Sequence, residues 1–105
     1  MHKSCILESR VFNPDRMDVQ VVYESEHVKV INFNLKAGQD LPVHSHNLDG
    51  ELVLVVLSGE GDLLGANGPV TPLKVGDVLT CGIKTPHGVH AEKDMSLIVT
   101  IAPPI

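Results

Sequence analysis

The chain has no tryptophan, one tyrosine and two phenylalanines in 105 residues. Little aromatic surface is therefore available to stack on a sugar face or a flavonoid ring. Arginine is equally scarce: Arg10 and Arg16 both lie near the start, which leaves lysines elsewhere to grip a phosphate or carboxylate. Cys5 and Cys81 are too few for a disulfide scaffold and lack CxxC spacing. They are expected to be two reduced thiols of a cytoplasmic protein. No apolar run approaches the roughly 18 residues of a membrane-spanning helix. The opening "MHKSCILESRVFNPD" follows a short apolar patch with charges, unlike a signal peptide. A net charge of −5 without any basic cluster argues against nucleic acid or an anionic membrane as partner. Helical periodicity, repeats, linkers and low-complexity tracts are also missing, and the length fits one domain.

What remains is turns and short apolar runs. "FNPDR" (12–16), "KAGQD" (36–40), "NLDG" (47–50), "SGEG" (58–61), "GANGP" (65–69), "KVGD" (74–77) and "GIKTPHG" (82–88) carry turn chemistry. Between them stand "VQVVYE", "HVKVINFNL", "ELVLVVL", "GDLLGA", "DVLTC" and "SLIVTIA". In "VKVINFNL" alternation sends Val28, Val30, Asn32 and Asn34 one way and Lys29, Ile31, Phe33 and Leu35 the other. Many short strands joined by tight turns predict an all-β sandwich or barrel.

Two of the six histidines, His44 and His46, stand two apart in "PVHSHNLDGEL". On a strand they would share a face. Two imidazoles so close repel when protonated and crowd when buried, and a divalent cation turns that liability into binding. The pair reads either as part of a metal site or as a polar turn that happens to contain imidazoles.

A second stretch, "GDVLTCGIKTPHGVH", favours the metal. Taken together, the two stretches make the chain resemble a single-domain cupin, a small β-barrel of jelly-roll type (double-stranded β-helix). In the first motif Gly38 precedes "QDLPV", His44-Ser45-His46, "NLDG" and Glu51. In the second, Gly76-Asp77 leads through "VLTCGIKTP" to His87. The resemblance covers about residues 26–103 and treats residues 1–25 as N-terminal strands or an arm. It implies that His44, His46, Glu51 and His87 converge inside the barrel on one divalent transition metal per chain. Nitrogen donors with at most one carboxylate suit Fe, Mn, Ni, Co, Cu or Zn, and such a set leaves coordination positions open.

The match has departures. Counted back from Gly59, the family's acid position falls on Leu52, because one extra residue separates Glu51 from Gly59. Either a β-bulge absorbs it and Glu51 points inward, or Glu51 faces out and the site is three histidines. Asp49 is a weaker candidate for the same role. A proline and an asparagine of the family's second motif are Gly82 and Ala91 here. His90, three residues past His87, should face the other way, at the surface or supporting a ligand from behind; His2 and His27 are expected at the surface.

Fold resemblance spans oxygenases, isomerases, lyases and binding modules. A Val, Leu and Ile-lined cavity with one metal suits a small, weakly charged substrate, and so an oxygenase or a lyase/isomerase. The alternative is a non-catalytic binding or sensing module, although sensors of this type usually carry a DNA-binding domain for which this chain has no room. "ELVLVVL" is apolar on both faces, and its outer face needs a cover. A homodimer is expected to supply it, with "CILESRVF" or "VQVVYE" of the same chain as the rival.

Overall fold

The structure, a computed structural model, describes all 105 residues. After one helical turn, α1 (Ile6–Ser9), come nine strands. They are β1 (Asp18–Glu24), β2 (Lys29–Leu35), β3 (Asp40–His44), β4 (Glu51–Ser58), β5 (Glu60–Gly65), β6 (Gly68–Lys74), β7 (Val78–Gly82), β8 (His87–Ala91) and β9 (Met95–Ala102). All pairings are antiparallel, in a five-stranded sheet of order β1-β2-β9-β4-β7 and a four-stranded sheet of order β3-β8-β5-β6. This is the all-β jelly-roll architecture expected from the sequence.

Period-two alternation builds the core between the sheets. Leu52, Leu54 and Val56 of β4 meet Leu97 and Val99 of β9, and Leu63, Val89 and Leu41 close in from the other sheet. Each fully buried aliphatic side chain contributes about 1.5–3 kcal/mol.

Three strands were not expected. β3 and β6 are not among the apolar runs read from the sequence, being interrupted by Pro42, Pro69 and Pro72, and β8 starts inside the "GIKTPHG" turn, just after Pro86. β3 and β6 are the two edges of their sheet, where a missing N–H costs no ladder bond.

The outer face of the five-stranded sheet departs from its sequence pattern. Asn32 and Asn34 alternate as read, yet both are fully buried. The segment around α1 lies over them, with the Arg10 guanidinium donating to Ser58 Oγ at 2.7 Å and Ser96 Oγ at 3.0 Å. Ser96 donates to Asn34 Oδ1, the two asparagine amides bond each other, and Asn34 donates to Asp18. The N-terminal segment thus covers the β2–β9 part of this face. Val53 and Val78, nearer β7, remain exposed.

Candidate metal centre

β3 and β8 form the wall that carries two of the histidines. Leu41 pairs with Val89 and His44 pairs with His87. Two residues lie between Leu41 and His44 but only one between His87 and Val89, so β3 holds a bulge at Pro42–Val43. Without it, alternation would turn His44 outward alongside Asp40. With it, the two rings lie side by side, centroids 4.5 Å apart.

Each of these rings is oriented by a backbone carbonyl two residues earlier. Nδ1–H of His44 donates to Pro42 O at 2.8 Å, and Nδ1–H of His87 donates to Thr85 O at 2.7 Å. A carbonyl only accepts, so the proton sits on Nδ1 and Nε2 keeps its lone pair. Such outer bonds are how metal-ligating histidines are held.

His46 does not share a strand with His44, because β3 ends at His44. It follows in the loop, where its N–H donates to Ile83 O and Ile83 N–H in turn donates to Gly50 O, both at 3.1 Å. These bonds stitch the two motif loops together and leave the His46 ring edge-on to His44 at 5.5 Å. His44 and His46 are exposed, whereas His87 is buried. Burial holds the His87 imidazole below its ordinary pKa; the Thr85 carbonyl opposes this, and His44 and His46 add to it. Its neutral, ligating form is thereby favoured.

Behind the rings is a void of about 30 Å³, lined by Phe33, Leu41, Leu52, Leu54, Val99 and Ile101 besides His44 and His87. That is far below the roughly 300 Å³ or more of an ordinary ligand pocket. The lining is aliphatic as expected, with Phe33 added, but the void is small; a second cavity of about 140 Å³, lined by Leu63, Leu64, Val70, Leu79 and Cys81, also reaches His87.

Glu51 is not brought to this site. The bulge that absorbs the extra residue of β4 lies between Val56 and Ser58, at the far end from Glu51. Alternation from Leu52 to Val56 is unbroken, so Leu52 takes the inner position at 3 % exposure and Glu51 is exposed on the opposite face. Asp49 is also exposed and pairs with Lys84 at 2.9 Å. No group of three His, Cys, Asp or Glu side chains stands ready to hold a metal. What the fold brings near one another is three imidazoles, two with Nδ1 held by a carbonyl, and no carboxylate.

His90 faces outward as alternation required. Its Nδ1–H donates to Asp40, with Glu92 3.6 Å from Nε2. The bond to Asp40 raises its pKa, helped by the charges of Asp40, Glu92 and Asp62 against some desolvation. A pKa raised on folding stabilises most below the unfolded value of 6.5 and loses its effect as pH rises through the folded value. Wild type should therefore exceed His90→Gln in urea midpoint most at about pH 5.5–6, with the gap closing toward pH 9. A gap independent of pH would refute the assignment. Cys81, half-buried and facing inward from β7, has a thiol pKa raised by burial.

A cupin domain model matches residues 32–102. The fold superposes on an RmlC-like cupin protein from Desulfovibrio desulfuricans with a TM-score of 0.97 and 50% identity, covering 100% of this chain and 99% of that one. TT1209 from Thermus thermophilus superposes with a TM-score of 0.87 and 27% identity, covering 98% of each chain. An uncharacterised protein with a double-stranded β-helix domain from Klebsiella pneumoniae gives 0.89 and 25%, covering 98% of this chain and 90% of that one. No curated protein matches in sequence.

Proposed function

This chain belongs to the cupin family, and from that premise we propose that it binds one divalent transition metal through His44, His46 and His87 and acts as a metal-dependent enzyme on a small molecule. The observation that carries the reading is the pair of backbone carbonyls, Pro42 O and Thr85 O, that hold His44 and His87 with Nε2 free. When bound, the metal supplies Lewis-acid or oxygen-handling chemistry. The chain's own part is to present neutral nitrogens and to keep water from the inner side with Leu52, Leu54, Val99 and Ile101. No carboxylate lines that inner side, so proton transfers fall to the mouth. Oxygenase or lyase/isomerase chemistry on a weakly charged reactant fits such a wall. The nearly filled interior favours one second reading, a non-catalytic module that holds a small ligand at the mouth. Metal analysis of protein purified without an affinity tag, then turnover screening with the metal found, tests both. Less than one metal per several chains would overturn the reading, and stoichiometric metal without turnover would favour the second.

The two free thiols fit a reducing cytoplasm, and no helix is long and apolar enough to cross a membrane. A homodimer through the β4–β7 edge would cover Val53, Val55 and Val78, which share the outer face beyond the reach of the N-terminal segment. Sedimentation at micromolar concentration should give twice the chain mass of 11.3 kDa, and Val78→Asp should give the monomer. A monomeric wild type would sink the dimer.

A further inference from the structure

The β3 bulge needs a floor, and Gly88 is the residue beneath it. A Cβ at Gly88 would lie 2.7 Å from Leu41 O, 2.8 Å from Val43 N and 3.0 Å from Val43 Cα. All three are backbone atoms and cannot rotate aside. Gly88 itself has no left-handed backbone, so alanine suits its own conformation and only the approach of β3 demands glycine.

We infer that Gly88 is a positioning residue for the histidine site: it seats the Pro42–Val43 bulge, and that bulge turns His44 inward to face His87. The inference rests on the three-histidine reading above for its consequence in metal binding, but not for its geometry. β8 is paired on both sides, with β3 and β5, whereas β3 is an edge strand with one partner, so β3 is the strand that yields. Its first half is anchored. Gly38 N–H donates to Ala91 O at 2.7 Å, Ala91 N–H donates to Gln39 O at 3.0 Å, and Asp40 accepts from His90. Displacement therefore concentrates at Val43 and His44. Loss of the bulge moves every following side chain to the opposite face, and His44 would join Asp40 on the outside.

The same parity predicts a rescue. Deleting Val43 leaves His44 two residues after Leu41, so plain alternation points it inward with no bulge and no need for glycine opposite.

The test uses the full chain as wild type, Gly88→Ala, Gly88→Ala with Val43 deleted, and Leu73→Ala. The last is a control in the buried core at the far edge strand, β6. In metal-free protein, imidazole ¹⁵N spectra report the tautomer of His44, and ring–ring Overhauser effects report its proximity to His87. Gly88→Ala should lose the fixed Nδ1–H tautomer of His44 and its contact with His87. Its affinity for Zn²⁺, by chelator competition, should fall about 10–100-fold, as for loss of a ligand's support. The deletion should restore the ring contact and most of the affinity. Leu73→Ala should lower the melting temperature and move neither readout. Retention of the His44 tautomer and ring contact in folded Gly88→Ala would overturn the inference. Should Gly88→Ala not fold, the double variant decides: a folded double variant with the ring contact supports the seat, and an unfolded one overturns it. Wild type that binds no Zn²⁺ while its His44 signals still respond to Gly88→Ala would sink the metal reading and leave the seat standing.

Discussion

His44→Ala, His46→Ala and His87→Ala should each lose metal under a chelator challenge that wild type survives. Removing an outer partner of a ligand already costs about 10–100-fold in affinity; removing one of three nitrogen donors should cost at least about 100-fold. His44 and His46 are exposed, so their variants should melt within a few degrees of metal-free wild type. This separates loss of ligation from loss of fold. Glu51→Gln is the contrast. Its carboxylate lies on the outer face, with Leu52 in the inner position, so metal affinity and its pH dependence should be unaltered. The result that would remove the site is stoichiometric metal in a His44→Ala/His46→Ala variant. A large effect of Glu51→Gln would mean that β4 rearranges on binding.

Asn34→Ala should be strongly damaging, although it removes no apolar core. Asn34 is fully buried and bonds Asn32, Asp18 and Ser96. Alanine leaves several buried partners unpaired, each at about 1–3 kcal/mol. A net loss of about 3 kcal/mol is expected, which for a domain of this size lowers the melting temperature by more than about 10 °C. Arg10→Ala should cost less, because the guanidinium is only partly buried and water can replace it at Ser58 and Ser96. Its effect should nevertheless exceed that of Arg16→Ala, since Arg16 is exposed. Thermal melts of the three variants in metal-free buffer give the ranking; an Asn34→Ala protein as stable as wild type would refute the network's role.

The sequence by itself determined the all-β class, because the alternation in "VKVINFNL" and the many short apolar runs cut by tight turns are local properties of extended chain. It also determined which histidines to suspect. Two short motifs in the right order carry His44, His46 and His87, and their spacing can be read without coordinates. Other features depend on what packs against what. Alternation puts Asn32 and Asn34 on one face with Val28 and Val30, and only docking of the segment around Arg10 makes that part of the face dry. β3 and β8 were hidden by prolines that mark edges and loops, since a proline reports the missing N–H but not whether a neighbour needed it. Glu51 could be weighed but not placed, because a bulge has no fixed address in sequence. The structure puts that of β4 beyond Val56, which sends Glu51 out and Leu52 in. A second bulge at Pro42–Val43 turns His44 inward over Gly88. Side-chain direction in a strand has period two, so a single inserted residue reverses it, and where that residue is accommodated is settled between strands.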